Sequence, residues 1–396
     1  MSQERFNREF IILNTLGAFA IFGSTMSKTP TLSLFAKFLG ASPAEIGLIA
    51  AASTVIGIIT NVSAGVLSDL YGRKLLILIA TVIFATAPFL YLLVTNPLLL
   101  ILVRVYHGLA TATLAPVISA TIADMYASRR GEMMSIITSS QYLGRLIAPI
   151  MGGLILTLAG LAFSGFHQVY IICGVSGIIA VILALSLFLF PTAISSTIQR
   201  RSVLQNLKGM PRQTGFLSIG SALASLYLSV GPVETFLPLY ATGLGISGFE
   251  VGILLSIQNA MILLSGPIFG RLSDRLGRRR FVMIGLTIVA LSIALISFSS
   301  SFILLLVVMF IYGLGMSMTL ASAPPMVSEI VSKEVYGTSL GALATIQDVG
   351  QTLGPIVAGI AISLSGGLYF SSFILIGSII GLNLGILNIG LRRKRE

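Results

Sequence analysis

The sequence predicts an all-α integral membrane protein, with twelve transmembrane helices in two pseudo-symmetric six-helix bundles. Three observations carry this. First, 55% of the 396 residues are hydrophobic and 9% are charged, against about 25% charged in an average soluble domain. A mean hydropathy of +1.00 leaves more apolar surface than one globule can bury, so lipid must serve as the solvent. Second, the apolar residues fall into twelve runs, each near the roughly 20 residues needed to cross a bilayer as a helix. Third, the second half of the chain repeats features of the first at an offset of about 205 residues.

In chain order, the first span runs from Phe10 to Phe38. It follows Arg8 and Glu9 and exceeds the apolar core of a secretory signal, so a retained span is expected. The next five are Glu45 to Leu67, Leu75 to Thr95, Leu98 to Tyr126, Met134 to Leu158, and Gln168 to Phe190. The sixth carries Cys173, the only cysteine, which leaves no disulfide framework and no Cys/His metal cluster. Pro191 to Thr214, rich in Ser, Gln, Lys and Arg, is the one long polar connection. The second group runs Gly215 to Gly243, Glu250 to Arg271, Phe281 to Phe298, Phe302 to Ile330, Thr338 to Ser363, and Gly367 to Leu391. The expected domains are therefore an N-terminal bundle over 1–190, a central loop over 191–214 and a C-terminal bundle over 215–396. None of the spans alternates as outer-membrane strands do.

The net charge of +11 comes from 24 Lys and Arg against 13 Asp and Glu. In a soluble protein that excess would point to nucleic acid. Here twenty of the 24 bases fall in the loops of one side and none in the opposite loops. By the positive-inside rule both termini are cytoplasmic, the bases meet anionic lipid, and no nucleic-acid partner is expected. Lys37, near a span end, is expected to snorkel. Glu45 and Glu250 open matching spans, where a carboxylate favours the helix N-terminus.

The repeat is dense. Glu45 and Gly47 match Glu250 and Gly252. Gly65, Leu67, Ser68, Asp69, Gly72 and Arg73 match Gly270, Leu272, Ser273, Asp274, Gly277 and Arg278. With one residue inserted, Gly131, Pro149 and Gly153 match Gly337, Pro355 and Gly359. Six spans is an even number, so the halves are parallel repeats about an axis along the membrane normal, with a site expected between them near the midplane.

The run Gly65-Val-Leu-Ser-Asp69-Leu-Tyr-Gly72-Arg73-Lys74, and its copy from Gly270 to Arg279, resembles the signature loop of the major facilitator superfamily. The resemblance extends over the whole chain and implies two six-helix bundles around a central cavity, working by alternating access. It also implies a cytoplasmic gate at Gly65, Asp69, Gly72, Arg73, Asp274 and Arg278. On physical grounds the glycines permit a tight turn and close helix approach, and the acid can pair with an Arg or a helix N-terminus. Anchoring topology is the other role open to Arg73 and Lys74. Arg104-Val-Tyr-His107-Gly108 resembles the R-x-x-Q-G pattern of proton-coupled facilitators, with His107 in place of Gln. Gly144-Arg145-Leu-Ile-Ala148-Pro149-Ile-Met-Gly152-Gly153 is similar to the pattern of drug/proton antiporters, with Ala148 in place of Gly. Pro149, Gly152, Gly153 and Pro355 are candidate helix-bending positions, with plain helix packing as the alternative.

A charge at the bilayer centre costs at least about 2.5 to 3.5 kcal/mol. Lys28, Arg104, Arg145, Glu234 and Asp348 are therefore expected to face the interior, bases in one half and acids in the other. Asp348, Glu234 and His107 are the candidate proton carriers, since surroundings that change during a cycle can move a proton on and off such groups. A permanent ion pair, such as Lys28 with Glu234, is the alternative. The expected substrate cavity gathers Lys28, Arg104, Arg145, Tyr227, Met309, Tyr312 and Gln351. In the second half Met309 and Tyr312 occupy the places of Arg104 and His107, and such divergence suits a substrate site.

The sequence thus predicts a secondary active transporter, not an enzyme, without metal or cofactor and driven by a proton gradient. Its expected partners are a small-molecule substrate, protons and membrane lipid, and a monomer in the cell membrane is expected. Antiport of small lipophilic or drug-like compounds leads, and a carrier for an organic anion or phosphorylated molecule is the alternative. No P-loop or H-E-x-x-H motif offers an enzymatic reading.

Overall fold

The computed structural model describes residues 2–126, 129–189, 214–329 and 336–392. Helices dominate, and no strand occurs among the described residues. In the first half they are α1 (Ser2–Lys28), α2 (Thr31–Phe38), α3 (Pro43–Tyr71), α4 (Arg73–Tyr91), α5 (Pro97–Met125), α6 (Arg130–Ala159) and α7 (Phe163–Ser186). The second half has α8 (Thr214–Gly243), α9 (Gly248–Leu276), α10 (Arg278–Ile296), α11 (Phe302–Ser328), α12 (Tyr336–Leu364) and α13 (Tyr369–Arg392). Eleven stretches among the described residues are long and apolar enough to cross a membrane, α1 and α2 counting together as Arg8–Phe38. The 29-residue α12, the eleventh span in chain order, completes the set of twelve. The protein is an all-α membrane protein.

Two expectations need correction. The first span is broken after Lys28, where Thr29 and Pro30 turn the chain before α2 begins; proline has no N–H to continue the helical ladder. Lys28 therefore sits in the last turn of α1 rather than in mid-helix. The segment from Gly65 to Lys74 is not an extended loop either. Its residues through Tyr71 belong to α3, Arg73 opens α4, and Gly72 alone makes the turn at φ +90°. Gly277 does the same between α9 and α10 at φ +100°. Only glycine adopts such angles without strain. The central segment from Pro191, with Arg200, Arg201, Lys208 and Arg212, lies outside the described residues, as do Lys333, Arg393, Lys394 and Arg395.

The chain divides into two compact units. Unit 1 comprises Met1–Ala41, Ala52–Ile198 and Ser247–Ser256; unit 2 comprises Ser42–Ala51, Gln199–Ile246 and Ile257–Glu396. The first turns of α3 thus belong to unit 2, and those of α9 to unit 1. In unit 1, α4 packs on α5 and α7, and α1 on α6 and α7. Unit 2 repeats every one of these pairings, with α10 on α11 and α13, and α8 on α12 and α13. The core of unit 1 gathers Leu13, Leu16, Ile77, Phe84, Val117 and Ile118, drawn from α1, α4 and α5.

The helix starts repeat as well. The Asn96 side chain accepts from the Leu99 N–H at 3.0 Å, and the Ser301 hydroxyl from the Leu304 N–H at 3.4 Å. Ser42 and Glu45 form a capping box: the Ser42 N–H donates to the Glu45 carboxylate at 2.7 Å and the Glu45 N–H to the Ser42 hydroxyl at 3.3 Å. Ser247 and Glu250 do the same at 2.9 and 3.3 Å. Each box satisfies two donors that a helix start leaves open.

Candidate functional site

A buried polar cluster forms in unit 1 where α3, α4, α5 and α7 meet. Arg104 and His107 lie one turn apart on α5 and are 3% and 1% exposed. The Arg104 guanidinium donates to the Ser53 hydroxyl of α3. That reach is short because Gly108 lets the two helices touch: a Cβ there would lie 2.8 Å from the Ser53 Cα. Tyr91, the last residue of α4, places its hydroxyl 3.4 Å from His107 Nδ1. Its ring stacks on Tyr170 of α7, with centroids 4.4 Å apart and planes 10° from parallel. Phe84 meets the His107 ring edge-on at 5.5 Å. Arg104 Nε, His107 Nε2 and the Tyr170 hydroxyl are buried with no hydrogen-bond partner among the described residues.

Unit 2 builds the same scaffold from other chemistry. The positions of Ser53, Tyr91, Arg104 and His107 are there Gln258, Ile296, Met309 and Tyr312. The Tyr312 hydroxyl turns to Ser229 of α8 at 2.9 Å, and Gln258 Oε1 is buried without a partner among the described residues. Met309 and Tyr312 have no exposed surface. Expected on the cavity wall, they are instead packed inside unit 2.

The remaining candidates spread across both units. Lys28, Glu234, Asp348, Tyr227 and Gln351 are half-buried. Arg145 is exposed, its guanidinium carbon 5.7 Å from the centre of the Tyr142 ring. Of the five charges expected in the interior, only Arg104 is fully enclosed.

The turns at Gly72 and Gly277 carry repeated ion pairs. Arg73 meets Asp124, in the last turn of α5, at 2.6 Å. Arg278 meets Glu329, directly after α11, at 3.0 Å and Asp274 at 2.8 Å. Lys74 Nζ donates to the Leu187 carbonyl just beyond α7 at 2.8 Å, and Arg279 donates to the Asn388 carbonyl in α13 at 3.0 Å. A cation is favoured at such a helix end. The Asp69 side chain and the surroundings of Gly65 lie outside what the structure describes. Asp124 and Glu329 are absent from the candidates that the sequence supplies, although both are acids 205 residues apart; applying the repeat to acids as well as bases finds them.

The proline and glycine positions mark close packing. Within unit 1, a Cβ on Gly252 would overlap the Pro149 carbonyl, and one on Gly153 the Gly248 carbonyl. Within unit 2, Gly47 is set in the same way against Pro355, and Gly359 against Pro43. Hydroxyls complete both contacts: Thr157 accepts from the Phe249 N–H at 2.8 Å, and Ser363 from the Ala44 N–H at 3.1 Å. Gly152 packs on Met26 of α1. Helices α6 and α12 run unbroken through Pro149 and Pro355.

Twelve spanning elements, a duplicated unit and paired turns of this kind define a membrane transporter. The family model of the Major Facilitator Superfamily matches residues 15–257 and 217–396, and the chain belongs to that superfamily. It is 22% identical to Multidrug resistance protein 2 of Bacillus subtilis, over 98% of this chain and 96% of that one. It is 25% identical to the Quinolone resistance protein NorA of Staphylococcus aureus, over 89% of each. Among solved structures it resembles the nucleoside transporter NupG at a TM-score of 0.78 and 18% identity, covering 96% of this chain and 99% of that one. That last likeness concerns the fold alone.

Proposed function

We propose that the protein is a proton-coupled antiporter that exports small lipophilic or drug-like compounds across the cell membrane by alternating access. The observation that carries this is the near full-length similarity to proteins named for multidrug and quinolone resistance. The cluster around Arg104 supports it. A fold that needs only packing at these positions makes do with Met309 and Ile296, so the polar groups of unit 1 serve something other than the scaffold.

In this reading Asp348, Glu234 and His107 are the proton-coupling groups, and no cofactor takes part. Lys28, Arg145, Tyr227 and Gln351 contact the substrate, while Arg104 acts from its enclosed position. The turns with Arg73 and Arg278 form the cytoplasmic gate, both termini are cytoplasmic, and the working form is a monomer. The even number of spans and the one-sided placement of bases support that orientation. The domain limits at 190 and 215 belong to the same reading.

A carrier for an anionic solute is the second reading, favoured by the guanidinium groups of Arg104 and Arg145. Transport into proteoliposomes under an imposed pH gradient separates the two. Ethidium accumulation coupled to proton counterflow supports antiport. Anion exchange without proton movement supports the carrier.

A further inference from the structure

We infer that Ser53 is a positioning residue that fixes where the Arg104 guanidinium sits. This rests on the reading of Arg104 as a working group of the transporter. An arginine side chain has many rotamers, and holding one of them costs entropy that a specific contact must offset. The described residues give the guanidinium one hydrogen-bond acceptor, the Ser53 hydroxyl of α3, which meets Nη2. A bond from a charged donor is about twice as strong as one between neutral groups. Arg104 Nε is buried without a partner among the described residues, so the direction of the guanidinium falls to that bond.

The backbone carries Ser53 to this place. Arg104 and Gly108 stand one turn apart on the same face of α5. A Cβ on Gly108 would lie 2.8 Å from the Ser53 Cα and 2.8 Å from the Ser53 carbonyl oxygen. Helices α3 and α5 therefore touch at Ser53, and its hydroxyl stands one carbon from that fixed backbone, on a single staggered torsion. A short arm on a fixed crossing is a suitable seat for a long and adaptable side chain.

The duplicated unit separates the crossing from the bond. A Cβ on Gly313 would lie 2.8 Å from the Gln258 Cα, so α9 and α11 touch as closely at the mates of Ser53 and Gly108. There the mate of Arg104 is Met309, which has no exposed surface, and Gln258 Oε1 is buried without a partner among the described residues. The close crossing is common to both units, whereas the bonded hydroxyl appears where the guanidinium does.

The test uses the full chain in lipid nanodiscs. Ser53→Ala removes the hydroxyl and leaves the crossing, and Ser53→Thr keeps the hydroxyl. Cryo-EM structures are expected to show the Arg104 guanidinium displaced in Ser53→Ala and seated on the retained hydroxyl in Ser53→Thr, with the α3 and α5 backbones in place in both. A guanidinium that keeps its parental position in Ser53→Ala overturns the inference.

Ethidium efflux from reconstituted vesicles gives a second readout. Ser53→Ala is expected to lower the rate about tenfold in the parent protein, and by under about twofold in an Arg104→Met background. Ser53→Thr is expected to stay within about twofold of the parent. Equal losses from Ser53→Ala in both backgrounds, or a Ser53→Thr variant as slow as Ser53→Ala, would show that the position acts through packing and overturn the inference. A parent that moves no ethidium, or an Arg104→Met variant that moves it at the parent rate, would sink the functional reading. The structural arm would still decide on Ser53. The double variant Ser53→Ala with Arg104→Met is expected to fold with parent-like thermal stability. Its failure to fold would make the pair structural and overturn the inference.

Discussion

Arg73 and Asp124 meet at 2.6 Å, and 205 residues further on Arg278 meets Glu329 at 3.0 Å. Each pair ties the start of one helix, α4 or α10, to the end of the next, α5 or α11. A cation retained only to orient the chain in the membrane needs no acid at bonding distance. The duplication of the pair, with Asp in one copy and Glu in the other, points to a working contact at both turns.

Arg73→Gln and Asp124→Asn are each expected to slow transport several-fold while lowering stability by under about 1 kcal/mol, because the Asp124 side chain is 34% exposed and water screens the pair. The exchange Arg73→Asp with Asp124→Arg should recover most of the loss. Transport assays with melting curves on the three variants check this, and a swap no better than either single change would remove the pair from the gate.

Glu45 lies in a capping box, which glutamine also completes. Glu45→Gln is therefore expected to leave transport and melting temperature near those of the parent, whereas Ser42→Ala should cost about 1 kcal/mol. Loss of proton coupling in Glu45→Gln would assign the residue a chemical role that the geometry does not.

Gly47 and Gly252 face the carbonyls of Pro355 and Pro149, which cannot move aside as a flexible side chain can. Gly47→Ala and Gly252→Ala should each cost about 1 to 3 kcal/mol, as overpacking does. Gly57→Ala, in the same helix as Gly47 but with nothing within 4 Å of the added carbon, serves as the control and should cost nothing measurable. Equal melting temperatures for all three variants would contradict the close packing.

Much of this architecture is legible in the sequence because lipid imposes one rule on every span, continuous apolarity over a fixed length. The duplicated turn is legible because glycine, acid and base recur in one register. The break after Lys28 is not, since Thr29 and Pro30 sit inside a largely apolar run and hydropathy does not register a missing N–H. Tyr91 and Ser53 stay hidden for a different reason. The spacing rules of a helix face relate residues of one helix, whereas these two come from α4 and α3, with Ser53 standing 51 positions before Arg104. Only packing brings Ser53 to Arg104 and Tyr91 to His107. Divergence within a repeat marks a site, which argues for Met309 and Tyr312 on a cavity wall. It marks equally a buried position repacked to new partners, as Tyr312 is with Ser229.

The central claim is proton-coupled export, and Asp348→Asn tests it most directly. In proteoliposomes with an imposed pH gradient, the parent protein should drive ethidium uphill and move protons in step in the opposite direction. Asp348→Asn should carry ethidium only down its own gradient, with no proton signal. Unchanged coupling in the variant would remove Asp348 from the mechanism, and a parent protein that exchanges an anion while moving neither ethidium nor protons would contradict the account.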